Sequence, residues 1–213
     1  MAFDAPILED FVVGVDVNPI SNDAKWAIFF GNGAVARIEA DIDAVTPNTG
    51  ALDAFYYYTP AGESQNDVEA RFLVRVKAAD GGRLGVVIRG TPAAALFDGY
   101  WLRAETAAGT DLVVLGRIDD GVTSTLDSVF REIVNGDQYC IRARGSALEG
   151  WVRPSGGGAD ELLVSASDTV YTTGAVAINV RTTAAQLDDF GWVGISDAQV
   201  GQYVTQPLGR GAA

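Results

Sequence analysis

Three groups of side chains in this sequence have the types and spacing to do chemistry. The first is Glu39-Ala40-Asp41-Ile42-Asp43, three acids at alternate positions. On a β-strand that spacing points all three to one face. Such a row can attack a glycosidic carbon with one carboxylate and protonate the leaving group with another. It can equally be a solvated acidic edge or a cation site. The second group is basic. Arg71, Arg75, Lys77, Arg89, Arg103, Arg117, Arg142, Arg144 and Arg153 fall largely on positions that alternate with apolar residues, and Trp101 and Trp151 share that parity. Guanidinium forks pair bidentately with carboxylates and phosphates, and indoles stack on flat apolar surfaces. An exposed face of this kind would suit an anionic glycan. The other reading is a solvent-facing sheet whose arginines pair across strands with Glu69, Glu105 and Glu149. The third group is Phe55-Tyr56-Tyr57-Tyr58. Consecutive aromatics on a strand point both ways, so the side bearing Tyr57 needs cover from a loop or from another chain.

What is missing is as informative. The chain has no histidine and one cysteine, Cys140. That excludes Ser-His-Asp and Cys-His catalysis, histidine-ligated metals, cysteine zinc clusters and any intrachain disulfide. Cys140 lies between Tyr139 and Ile141 and reads as a structural strand residue. The net charge of −13 argues against nonspecific nucleic-acid binding. It is unevenly placed: residues 1–67 hold 11 acids and 2 bases, whereas residues 68–153 hold 11 of each. Met1 to Leu8 carries Asp4 and no basic or apolar run, so no signal peptide is expected, and no apolar run is long enough for a transmembrane helix.

The elements that must position these groups are strands. Val68, Ala70, Phe72, Val74 and Val76 alternate with Glu69, Arg71, Arg75 and Lys77, and only Leu73 breaks the polar set. Leu84, Val86 and Ile88 repeat the pattern after Asp80-Gly81-Gly82, as do Tyr100, Leu102 and Ala104 after Gly99. With Leu112 to Ile118 these predict a four-stranded meander. Trp26 to Phe30 and Ala34 to Ile42 read as a hairpin joined at Gly31-Asn32-Gly33, Val45 to Gly50 as a loop, and Phe55 to Tyr58 as a strand. Val122 to Ile133 reads as a strand with a polar extension or a short helix near Phe130. Further strands are predicted at Gln138 to Arg144, Leu148 to Val152, Glu161 to Ser165, Ala175 to Val180 and Leu187 to Ile195. A chain of 213 residues fits one β domain that buries roughly 70% of its unfolded surface. The predicted class is an all-β, two-sheet antiparallel sandwich, with Phe72, Val74, Val86, Ile88, Tyr100, Leu102, Val114 and Ile141 between the sheets.

The order of Gly85-Val86-Val87-Ile88-Arg89, Gly99-Tyr100-Trp101-Leu102, Leu112 to Arg117 and Tyr139 to Gly145 resembles the concanavalin A-like jelly roll in its laminin-G-like form. Asp168, Gly174 to Ile178 and Leu187-Asp188-Asp189-Phe190 continue it, and the resemblance covers residues 7–195. It implies that Glu9-Asp10-Phe11 lies beside Asp188-Asp189-Phe190, where calcium binding and a solvated turn are both open. The superfamily holds lectins, glycan hydrolases, adhesion modules and virion proteins of tailed phages, so it constrains fold better than function. Its retaining glycanases carry a similar Glu-x-Asp-x-Glu strand. Here the last acid is Asp43, one methylene shorter, and the stretch precedes the meander, so no catalytic residue, metal or cofactor is expected.

The jelly roll should occupy residues 1–195 and a C-terminal arm residues 196–213. The arm has few sizeable apolar side chains and cannot offset its own backbone entropy of roughly 1–2 kcal/mol per residue. Tyr203, Val204 and Leu208, with Tyr57, are therefore the expected assembly contacts. Together these features lead to the expectation of a phage virion structural protein, at the tail tip or head surface. Its partners would be other virion proteins, copies of itself and an anionic surface glycan, with neither nucleic acid nor membrane. The glycan-binding candidates are Trp101, Arg103, Arg75, Arg89, Arg117, Arg142 and Trp151. A stand-alone lectin module is the second reading, and a glycan hydrolase using Glu39 the third.

Overall fold

The structure, a computed structural model, describes residues 26–30, 36–39, 44–47, 54–58, 66–77, 81–91, 97–181 and 186–194. Its strands are β1 (Trp26–Phe30), β2 (Ala36–Glu39), β3 (Ala44–Pro47), β4 (Ala54–Tyr58), β5 (Val68–Val76), β6 (Arg83–Thr91) and β7 (Asp98–Glu105). They continue with β8 (Leu112–Asp119), β9 (Val122–Phe130), β10 (Gln138–Arg144), β11 (Ala147–Arg153), β12 (Glu161–Ser167), β13 (Ala175–Arg181) and β14 (Gln186–Gly194). Two sheets form, in the orders β1-β4-β13-β6-β7-β8-β9 and β12-β11-β10-β5-β14-β3-β2. The fold is the expected all-β sandwich.

Alternation produces the core directly. Val68, Ala70, Phe72 and Val74 of β5 face Leu84, Val86 and Ile88 of β6, and with Tyr100, Leu102, Tyr139 and Ile141 they make one buried cluster between the sheets. Trp26, Tyr58 and Phe190 extend it, with ring centroids 5.2 to 5.6 Å apart. Each buried side chain of this size contributes about 1.5–3 kcal/mol, which is how the sandwich offsets the entropy of ordering its strands.

Four expectations fail in instructive ways. β5 is not part of a meander with β6 to β8; it pairs with β10 and β14 in the second sheet, while β6 pairs with β7 and β13 in the first. Alternation tells which side of a strand is apolar, not which sheet the strand joins, and a Gly-rich turn serves a crossover as well as a hairpin. β1 and β2 are not a hairpin either, since β1 pairs with β4 and β2 with β3. β3 occupies a stretch expected to be loop. Val114 belongs to a second apolar cluster on the outer side of the first sheet, with Phe55, Val87, Phe97, Trp101, Ile118 and Ala177. The run Leu112-Val113-Val114-Leu115 is apolar on both parities, so its core side could not be chosen from the run alone. Residues 1–25, which hold Glu9 and Asp10, and the arm residues Tyr203, Val204 and Leu208 lie outside the described residues.

Candidate functional site

The move of β5 divides the basic side chains between opposite outer faces of the sandwich. On the first sheet, Arg103 points outward without facing solvent, whereas Arg89, at a positive φ, reaches across to loops of the second sheet. Trp101 and Arg103 are 2% and 3% exposed. The Arg103 guanidinium lies 3.5 Å from the Trp101 ring centroid, a cation–π stack. The ring is seated on glycine: Gly116 is the cross-strand partner of Trp101, and a Cβ there would collide with the indole. Gly85, opposite Arg103, leaves the same kind of room, since a Cβ there would come 2.7 Å from Arg103 Cγ. Trp101 and Arg103, expected on an exposed glycan-binding face, are thus buried and stacked on each other. Tyr57, half-buried, packs against the same outer cluster.

Arg89 is a clamp. It has a positive φ of 51° and is 1% exposed. Its guanidinium donates to the carbonyls of Gly145 (2.9 Å), Tyr171 (3.1 Å) and Asn66 (2.8 Å from Nε), joining three loops at one end of the sandwich. Arg117 lies on the core-facing parity, across from Tyr100, and emerges at that same end. It donates to Asp168 (2.6 Å) and Asp119 (2.7 Å), while Tyr100 donates to Asp168 and Tyr171 to Asp119, each at 2.6 Å. Burial pushes the Asp168 carboxyl up, but hydrogen bonds from Tyr100, the Val170 amide and Arg117 outweigh it, so its pKa lies below the usual carboxylate value. Asp119 is also held low, chiefly by Tyr171. The Tyr100 phenol is pushed up to about 12 by burial and by the Asp168 carboxylate. A network satisfied in this way rigidifies a loop, and both Arg89 and Arg117 are engaged within the protein.

The second sheet carries the remaining candidates on its outer face. Arg142 is buried in an ion pair with Glu69, its partner across β10 and β5, with Nη2 2.6 Å and Nε 3.0 Å from Glu69 Oε2. This is the cross-strand Arg–Glu pairing foreseen as the other reading of the basic face. Glu105 does likewise, 3.4 Å from its cross-strand partner Arg83. Cys140 beside the Arg142 pair is buried, and burial pushes its thiol pKa well up. Arg75 is half-buried on β5.

Trp151 differs from Trp101. It is half-buried on β11, flanked across the strands by Cys140 and by Leu162, which is 48% exposed. Its indole N–H donates to Glu149 Oε2 at 3.0 Å, which fixes the ring. Beside it Arg153 donates to Asp160 from Nε (2.8 Å) and Nη2 (3.3 Å). Trp151, Arg153, Gly158, Ala159 and Asp160 line an open cleft of about 400 Å³. The loop that forms its wall is anchored from behind, where buried Asp137 accepts from the Ser155 amide at 2.9 Å. Asp160, Glu149 and Asp137 were not singled out from sequence as site residues. The signal for Asp160 was the hairpin Arg153-Pro154-Ser155-Gly156-Gly157-Gly158-Ala159-Asp160, which brings an acid back beside an outward arginine.

The acidic stretch lies elsewhere. Glu39 ends β2 at the far edge of the second sheet, and Asp41 and Asp43 lie outside the described residues. Five inter-strand spacings of about 4.8 Å put β2 about 24 Å from β11. Among the described residues no group of three His, Cys, Asp or Glu is gathered to hold a metal. Asp189, at a positive φ of 48°, adds its charge to the surroundings of Arg71.

No protein-family model and no curated protein sequence matches the chain. Solved structures do. The carbohydrate-binding module CBM66 from Bacillus subtilis has a TM-score of 0.59 at 17% identity, over 79% of this chain and 94% of that one. A legume lectin-like domain from Entamoeba histolytica has a TM-score of 0.57 at 10% identity, over 85% and 97%. The GH43 protein BlXynB from Bacillus licheniformis has a TM-score of 0.62 at 12% identity, over 88% of this chain but 39% of that one. At such identities the likeness is one of fold, and the fold is the concanavalin A-like jelly roll.

Proposed function

We propose that this concanavalin A-like jelly roll is a carbohydrate-binding module without catalytic activity, and that the cleft at Trp151 is its sugar site. The observation that carries the reading is the cleft itself. It places a half-buried indole, oriented by Glu149, next to a paired guanidinium and carboxylate. An indole face takes the C–H side of a sugar ring, and the Arg153–Asp160 pair offers donors and acceptors for its hydroxyls. Asp160 in the cleft and Glu149 at the indole N–H already accept hydrogen bonds, from Arg153 and Trp151. That suits holding hydroxyls better than protonating a leaving group, which needs a carboxylic acid kept neutral. The solved structures of like fold named as a carbohydrate-binding module and a lectin-like domain support the same class.

The virion placement enters as the setting for this binding and rests on the sequence resemblance. A host-surface glycan is the ligand such a module would meet there, and mass spectrometry of purified virions tests it. The binding itself is tested by affinity electrophoresis of the full chain through a polysaccharide panel. At least one polysaccharide should retard it, and Trp151→Ala should weaken that retardation about fivefold or more, the equivalent of about 1 kcal/mol of ring contact. Retardation unchanged in Trp151→Ala, in a variant with an unaltered circular-dichroism spectrum, would place the sugar elsewhere.

A further inference from the structure

We infer that the Trp151 cleft selects neutral sugars and excludes acidic ones, which reverses the anionic preference expected from the arginine count. The inference rests on the reading of this cleft as a sugar site. An arginine recognises a carboxylate through a two-pronged edge of its guanidinium. A guanidinium has two such edges, and in Arg153 the Nε–Nη2 edge is occupied by Asp160, at 2.8 and 3.3 Å from its two oxygens, so a carboxylate already balances the charge. On that edge a sugar carboxylate would have to displace Asp160, whose side chain is 12% exposed and would be left with a buried charge; approaching from the Nη1 side it would share one guanidinium with the Asp160 carboxylate.

The nearest further cation is Arg71, two strands from Trp151 in the same cross-strand row; it is buried, and the charges of Asp189 and Glu69 already act on it. Glu149 stands on the same strand face and holds the indole N–H. Across β10, Arg142 is already paired with Glu69. An acid ligand would thus meet the Asp160 carboxylate in the cleft, with Glu149 behind the indole, on a chain of net charge −13. A neutral ring meets no such repulsion. It can stack on Trp151 and share its hydroxyls with a carboxylate and guanidinium that hold each other in place. Leu162, directly across from Trp151 and 48% exposed, continues the apolar surface to the sheet's edge strand among the described residues. A second ring of the same chain could rest there, so a neutral oligosaccharide is the fitting ligand.

The test is isothermal titration of the full chain with neutral polysaccharides (dextran, mannan, galactan, β-glucan) and acidic ones (alginate, polygalacturonate, hyaluronate). Titrations run at about 0.05 and 0.5 M salt, which moves the screening length from above to below 10 Å. The expected result is binding to a neutral polymer that changes less than about twofold with salt, with no acidic polymer bound. Asp160→Asn releases the Arg153 edge and should create acid-sugar binding that falls about tenfold with the added salt. Salt-sensitive binding of acidic polymers by the unaltered chain would overturn the inference while keeping the cleft as a sugar site. No binding of either class, or binding indifferent to Trp151→Ala, would overturn the cleft reading and the inference with it.

Discussion

The buried Arg142–Glu69 pair makes the sharpest test of how the outer face of the second sheet is held. Glu69 is fully buried and the Arg142 side chain is 6% exposed, with Nη2 2.6 Å from Oε2. Two unit charges about 4 Å apart attract by about 4 kcal/mol at an effective dielectric of about 20. That attraction roughly offsets the cost of taking both from water, so the pair as a whole is close to neutral for stability. Removing one partner is different. Arg142→Met keeps most of the aliphatic stem but leaves the buried Glu69 carboxylate without its hydrogen-bonded cation, with Arg71 the remaining positive charge acting on it, at a cost of about 3–5 kcal/mol. With a urea slope of about 2 kcal/mol/M, the unfolding midpoint should fall by about 1.5–2.5 M. The double variant Glu69→Leu, Arg142→Met removes both charges and should regain most of the loss. It leaves the Cys140 thiol, a weak donor, without its Glu69 contact and takes the Glu69 charge from Arg71, which keeps that of Asp189. Urea unfolding followed by tryptophan fluorescence measures all three proteins. A single variant that costs under about 1 kcal/mol, or a double variant no more stable than Arg142→Met, would refute the account of a desolvated pair.

Three further outcomes are expected. The carboxyls of Asp111, Asp119 and Asp168 are held below their usual range, so they add stability above the unfolded aspartate value of about 3.9, and it drains away as pH falls through their folded values. Acid unfolding curves should therefore steepen below about pH 4, and Asp168→Asn should flatten part of that slope. Tyr100, pushed up to about 12, adds stability below the ordinary tyrosine value of about 10 and loses it as pH rises towards 12; Tyr139 and Tyr171 are also pushed up, so ultraviolet titration should show several late-ionising phenols and one fewer in Tyr100→Phe. Gly116→Ala should cost about 1–3 kcal/mol by driving a methyl into the Trp101 ring, with a changed tryptophan emission in the folded state; a neutral substitution would show that the ring has room.

Nearly every strand was readable because one physical signal, apolar residues at every second position, serves any strand with a dry and a wet side. β10 to β14 fall within a residue or two of the expected spans. The exceptions lack that signal. β9, Val122–Phe130, is rich in Ser and Thr and largely exposed on both parities, so strand and helix looked alike. β3, Ala44–Pro47, is four residues long and ends in proline. Neighbouring partners were readable where a hairpin joins them, as for β6, β7 and β8, but partners distant in sequence were not. The pairing of β5 with β10 joins Glu69 to Arg142 across 73 residues, and a local pattern holds no information about contacts at that separation.

The site shows the same limit at the level of one side chain. Trp101 and Trp151 have the same outward parity and arginines two residues further on, yet one is sealed and the other lines a cleft. What separates them is the size of the neighbours across the strand. Trp101 lies opposite Gly116, and Arg103 opposite Gly85, so the ring and the guanidinium sink into the space that absent side chains leave. Trp151 lies between Cys140 and Leu162, which fill that space and hold the indole up. An isolated glycine inside an apolar strand marks a place where something approaches closely. Gly85 and Gly116 were visible in the sequence, but their meaning required knowing that β6 and β8 flank β7. Parity states that a side chain points outward. Whether outward means wet is decided by the two strands beside it.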